Sequence, residues 1–295
     1  MGDRQSEVFE GFSRTTVSAD GLRINVVYAG SGPPVLLLHG YPQTHAMWHR
    51  VAPLLAERFT VVCPDLRGYG DSAKPPTDPS HEVYSKRTMA FDQLDVMRQL
   101  GHKRFAVVGH DRGARVARRL ALDHPEAVSG LALLDIVPTA TMYETLDRQR
   151  AISAWRYFFL VQPPDLPERL IAANRSYYLR ATLNEWAGKP DALDPAAVAE
   201  YERCFDAETI HASCEGYRAG ATIDLVHDRA DSDQRIGCPL LILWSSSGIT
   251  ASYDVLAVWR EQADRVEGAP LDCGHFLAEQ QPQTVARRVE EWLTG

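Results

Sequence analysis

The chain has 295 residues, 45% hydrophobic and 24% charged, the balance of a folded globular protein with one sizeable core and room for an insertion. Its 39 acidic and 31 basic side chains give a net charge of -8, spread without a basic block, which argues against nucleic acid as a partner. No segment approaches the roughly 20 consecutive apolar residues needed to span a bilayer, so the expectation is a cytoplasmic enzyme with no membrane association.

The amino terminus has neither a positive leader nor an apolar run. MGDRQS fits the minimal myristoylation pattern, but the pattern is loose and a single acyl chain anchors only marginally. Short apolar runs bounded by Gly, Pro or charge then predict strands at Ile24 to Tyr28, Val35 to Leu38, Phe59 to Cys63 and Phe105 to Val108. Between them, apolar residues recurring every three or four positions predict helices over Trp48 to Glu57 and Lys86 to Leu100. This alternation predicts an α/β architecture built on a mostly parallel sheet, to which Leu131 to Leu134 and Leu240 to Leu243 add two buried strands.

From about Thr139 to Arg218 the pattern becomes helical and rich in Trp and Tyr, broken by QPPDLP and GKPDALDP. It predicts a helical cap, residues 139–218, inserted into a core made of residues 1–138 and 219–295. Such a cap would cover the carboxyl ends of the strands, where open α/β sheets place their ligands. The five cysteines are scattered and read as reduced, and the ten histidines show no spacing that suggests a metal, so no cofactor and no metal are expected.

The segment FAVVGHDRGARVARRLALDHP runs from a buried strand through Gly109-His110-Asp111-Arg112-Gly113 into a helix. This is the G-x-nucleophile-x-G turn with aspartate at its centre. Aspartate is also a common helix cap, and that competing role weakens only because the other required pieces follow in the right order. An ionised carboxylate needs no base to attack a saturated carbon bearing a leaving group, whereas hydrolysis of the resulting ester needs both a base and an oxyanion hole. His275, in LDCGHFLAEQQP, is the candidate base. His39-Gly40-Tyr41-Pro42 would supply the oxyanion loop through the N–H of Tyr41, together with that of Arg112. The orienting acid is assigned to Asp135, which closes the strand segment VSGLALLD, ahead of Asp254 or Asp272, because PLLILWSSSGIT has no acid where one could stand. Arg112 and Arg115, at i and i+3, face one side of the helix and can grip a planar carboxylate.

These residues resemble those of the haloacetate dehalogenases, including the fluoroacetate-type enzymes, within the α/β-hydrolase superfamily. The resemblance covers nearly the whole chain, through HGYPQTHAMWHRVAP, DLRGYGDSAKP, VGHDRGARVARRLALDHPEAV, FFLVQPPDLPE, GYRAGATIDL and CGHFLAEQ. It implies hydrolysis of a short 2-haloacid to hydroxy acid and halide through an ester of Asp111, with a small carboxylate as substrate, and it suggests a homodimer. It matches Arg112 and Arg115 to carboxylate-binding positions; Tyr41 and His110, beside the nucleophile, are expected in the same pocket. The halide site departs from the pattern. The family's His-Trp pair before FFL is Arg156-Tyr157 here, while Tyr217 is retained. Fluoride needs several hydrogen-bond donors to leave, so chloride and bromide are the easier leaving groups for such a site. Arg156 could donate to halide, bind a second carboxylate, or lie solvated on the cap. The rival reading is an epoxide hydrolase with the same Asp111 and with Tyr157 and Tyr217 as proton donors. A binding module without catalysis is a third.

Overall fold

A computed structural model describes residues 8–295; the amino-terminal MGDRQS pattern lies outside the described residues. The core opens with β1 (Ser13–Ala19), β2 (Leu22–Ala29) and β3 (Pro34–Leu38), then α1 (Ala52–Ala56) and β4 (Thr60–Pro64). It continues through α2 (Lys86–Gln99), β5 (Phe105–His110), α3 (Arg112–Asp123) and β6 (Val128–Leu134). With β7 (Leu240–Ser245) and β8 (Val266–Leu271) from the end of the chain, one eight-stranded sheet results, in the order β1-β2-β4-β3-β5-β6-β7-β8. The pairs β1/β2 and β2/β4 are antiparallel, and all others are parallel.

Every residue of β5, and four of five in β3, is buried. Helices cover both faces of these central strands, so their sequences, FAVVGH and PVLLL, read as continuous apolar runs. The flanking strands are harder to see in the sequence. In β1, SRTTVSA buries only two of its residues, and β8 (Val266–Leu271), VEGAPL, is a half-exposed edge carrying Gly and Pro. Neither was expected from apolar runs alone.

After β6 the chain leaves the sheet for eight helices: α4 (Thr139–Glu144), α5 (Arg148–Ser153), α6 (Trp155–Leu160), α7 (Leu166–Ala173), α8 (Arg175–Ala187), α9 (Pro195–Cys204), α10 (Ala207–Ala221) and α11 (Ile223–Ala230). The cap boundary expected at residue 218 therefore falls inside α10. That helix breaks only at Thr222, and helical structure runs on to Ala230. The chain then returns through β7 (Leu240–Ser245), α12 (Val255–Arg260), β8, α13 (Leu277–Gln280) and α14 (Pro282–Thr294). Among the described residues no helix is long and apolar enough to cross a membrane.

Candidate active site

The site forms where β5 turns into α3. Asp111 sits at that tip with φ +48°, a left-handed backbone that costs a non-glycine residue about 1–3 kcal/mol. The surroundings enforce it. A Cβ on Gly113 would overlap the carbonyl oxygens of His39 and Leu38, so only glycine lets α3 lie this close to the end of β3. The Asp111 side chain makes no cap to α3, which removes the helix-cap alternative. Instead its Oδ1 accepts from the N–H of Tyr41 at 3.0 Å.

His275 follows β8 on the loop before α13. Its Nδ1 stands 2.6 Å from Asp135 Oδ2, and its Nε2 lies 3.8 Å from Asp111 Oδ2 with no hydrogen-bond partner. That gap is too long for a direct bond and has the span at which a bridging water is sought. Asp135 is itself positioned. Its backbone is left-handed at φ +55°, and its Oδ1 accepts from Ser245 N–H at 3.0 Å. The Ser245 hydroxyl in turn donates to the Cys273 carbonyl at 2.7 Å. The serines of WSSSG thus tie the acid to the histidine loop. Asp254 caps α12 instead, accepting from Ala257 N–H at 3.1 Å.

The charges suit these positions. Burial alone would raise the Asp111 carboxyl, but His275, His110, Arg112 and the Tyr41 N–H outweigh it and hold the group below its ordinary range. Burial would lower His275, yet its bond to Asp135 and the charges of Asp135 and Asp111 raise it above its ordinary value.

A cavity of about 260 Å³ opens over Asp111, His275 and Asp135, lined also by Arg115, Tyr157 and Trp186. Arg115 donates to the Val137 carbonyl at 3.1 Å, the Thr139 hydroxyl at 2.7 Å and the Tyr157 oxygen at 3.1 Å. Trp186 was not anticipated. It packs on His275 with ring centres 5.1 Å apart, and its carbonyl accepts from His275 N–H at 2.8 Å. Gly274 permits this approach, since a Cβ there would collide with backbone of Trp186 and Ala187. A lone tryptophan in NEWAGKP gave no periodic signal that could have singled it out.

Several expected pocket residues lie elsewhere. Arg112 does not line the cavity: its guanidinium stacks on the Tyr217 ring, 4.1 Å from the centre, and donates to the Gly216 carbonyl. The i, i+3 spacing put both arginines on one side of α3, but α10 packs over the first and leaves only Arg115 open. His110 also lies outside the lining. Its Nε2 meets the His275 carbonyl at 2.8 Å, and burial lowers its pKa to about 4, so the neutral ring braces the histidine loop. Tyr41 contributes its N–H, while its ring packs against Tyr217 at 5.5 Å. Tyr217 stands edge-on to Tyr157, 5.1 Å away, with its buried hydroxyl unpartnered. Arg156 is 3% exposed, which rules out a solvated cap arginine. It lines the cavity but spends its guanidinium on Glu185, at 2.8 and 2.9 Å, and on Thr182.

One histidine–carboxylate grouping was not singled out in the sequence. His211 and Glu215, one turn apart on α10, meet Glu168 with ligand atoms within 4.8 Å. Arg218 donates to both carboxylates at 2.7 Å, which places a fixed cation where a metal would compete.

Residues 33–282 match the alpha/beta hydrolase fold family. The chain is 46% identical to a fluoroacetate dehalogenase from Burkholderia sp over 97% of its length and 95% of that protein. It is 36% identical to a soluble epoxide hydrolase from Corynebacterium sp. (strain C12), covering 90% and 92% of the two chains. A crystal structure of an alpha/beta hydrolase from Nostoc sp PCC 7120 superposes with TM-score 0.95 at 57% identity, covering 96% of this chain and 98% of that one. With its elbow, histidine loop and cap in this arrangement, the chain belongs to the α/β-hydrolase fold family and resembles, along nearly its whole length, a fluoroacetate dehalogenase within it.

Proposed function

We propose that this protein hydrolyses short 2-haloacids such as chloroacetate to hydroxy acid and halide. The observation that carries the reading is an ionised, uncapped Asp111 on the floor of a cavity that also holds the Arg115 cation and the His275–Asp135 pair. Arg115 attracts the substrate carboxylate and turns its C2 toward Asp111. Asp111 Oδ2 attacks C2 as the carbon–halogen bond breaks, and the halide leaves with the bonding pair, giving an alkyl ester. His275 Nε2 then takes a proton from water, whose oxygen adds to the Asp111 carboxyl carbon. The Tyr41 N–H steadies the oxyanion at Oδ1. Collapse breaks the bond from the carboxyl carbon to the former Oδ2, His275 returns its proton to the departing hydroxy acid, and the regenerated Asp111 carboxyl, held below its ordinary range, releases the second proton of the water to solvent.

With Arg156 bound to Glu185, the replaced halide pair supplies few donors, which favours chloride and bromide over fluoride as leaving groups.

Epoxide hydrolysis is the second reading, favoured by the pairing of Tyr157 with Tyr217 beside the site and by the epoxide hydrolase relative. Burial and the Asp111 charge push the Tyr217 phenol well above its ordinary range, which keeps it a neutral hydrogen-bond donor under either reading. Halide release from chloroacetate, bromoacetate and fluoroacetate, read with ion electrodes beside an epoxide panel, tests both. Chloride release without epoxide turnover is the expected result. Styrene oxide turnover without halide release would replace this reading with the second.

A further inference from the structure

The cavity over Asp111 is larger than a two-carbon acid needs. Roughly 10–15 Å³ of open volume holds one water, so 260 Å³ has room for about twenty. A haloacetate fills only a small part of that space. The charge on the walls limits what else can enter. Arg115 makes its hydrogen bonds to neutral oxygens, those of Val137, Thr139 and Tyr157, which leaves its positive charge for a ligand. Arg156, also on the wall, is already neutralised by the bidentate Glu185. One substrate carboxylate is therefore matched, and a second is not.

Much of the remaining wall is apolar. Ile136 and Val137 directly follow Asp135, Met142 comes from α4, Ala154 joins α5 to α6, and Ile249 lies in the turn after β7. The first four are buried and Ile249 is half-buried. None of these side chains can donate to a halide or a carboxylate. They stand on the Asp135 side of the cavity: a Cβ on Gly248, next to Ile249, would lie 3.6 Å from Asp135 Oδ2. The same wall reaches the arginine, because the Val137 carbonyl accepts from Arg115. Each methylene that replaces water against such a surface strengthens binding about fourfold.

We propose that the substrates are monocarboxylic 2-haloacids whose C2 carries an apolar chain of several carbons, seated against this wall while the carboxylate stays on Arg115. The inference rests on the proposed reading of Asp111 as a dehalogenating nucleophile. The bond changes are the same as for a haloacetate: Asp111 Oδ2 bonds to C2, the halide leaves with the bonding pair, and the chain remains on C2 throughout.

The test is bromide release by the full chain from bromoacetate and from the separated enantiomers of 2-bromopropionate, 2-bromobutyrate and 2-bromohexanoate. The comparison starts at 2-bromopropionate, because from there on every member reacts at a secondary carbon. In the reactive enantiomer, kcat/KM should rise about fourfold per added methylene, roughly sixtyfold from 2-bromopropionate to 2-bromohexanoate. Ile249→Phe and Met142→Phe each fill part of the space and should cut that ratio about tenfold. Should either variant not fold, calorimetric titration of the wild type with the unhalogenated acids makes the same comparison, with hexanoate expected to bind roughly sixtyfold tighter than propionate. Equal affinities, kcat/KM values that stay flat or fall along the series, or a ratio unchanged in both variants overturn the inference. Turnover of bromoacetate alongside a flat series overturns this inference alone, whereas no bromide from any of the acids overturns the proposed function itself.

Discussion

Glu279 offers a quantitative check on how this site is supported. It lies in α13, four residues after His275, and is 2% exposed. Its Oε2 accepts from the Gln43 amide, close to the Tyr201 hydroxyl, while Oε1 has no partner. Burial, reinforced by the charge of Asp194, outweighs the bonds from Tyr201 and Gln43 and the nearby Arg50 cation, and raises the carboxyl from 4.5 to about 8. The folded chain therefore holds a proton that the unfolded chain releases near pH 4.5. The stabilisation is fully present below that pH and is lost as pH rises through about 8. At ~1.36 kcal/mol per pH unit, the two values correspond to roughly 5 kcal/mol across the window, as an upper bound. Glu279→Gln keeps the shape and the neutral state, so it lacks this pH slope. Urea unfolding of both proteins from pH 5 to 9, followed by circular dichroism, should show the wild type losing several kcal/mol relative to the variant. Parallel stability curves would refute the assignment of a buried, protonated acid behind the oxyanion loop.

Two further substitutions probe the centre directly. His275→Asn removes the base but leaves Asp111 free to attack, so intact-protein and peptide mass spectrometry should find the substrate's acid attached to the Asp111 peptide after incubation with chloroacetate. An unmodified peptide in that variant, with wild-type turnover, would contradict the two-step route. Gly113→Ala forces a methyl group into the His39 and Leu38 carbonyls and should destabilise the fold by about 3 kcal/mol or more, read as a lowered urea midpoint. A midpoint within error of wild type would mean that α3 can move away from β3.

The elbow was legible because several independent signals coincide there: a fully buried strand, two glycines and the start of an amphipathic helix within a few residues. Asp135 could be placed for a similar reason, since WSSSG leaves no competing acid on the next strand. The structure adds why serine stands there, for Ser245 holds both Asp135 and the Cys273 carbonyl. What stayed hidden depends on contacts across long sequence separations. Spacing on α3 made Arg112 and Arg115 look equivalent, yet α10, about 100 residues later, lays Tyr217 over one of them. Arg156 could not be distinguished from a surface arginine without Glu185 in view. The edge strands β1 and β8 lack a buried pattern because each has little to pack against on one side.

The hold that the Tyr41 amide keeps on Asp111 makes the two carboxylate oxygens inequivalent before any substrate arrives. One atom is tethered, and the other is left to form the new bond to carbon. Under the proposed route, the hydroxyl of the first product molecule is therefore drawn from the polypeptide and not from solvent. Each later cycle passes on an atom that water deposited in the cycle before, so enzyme placed in isotopically heavy water yields one light product per site before every following one turns heavy.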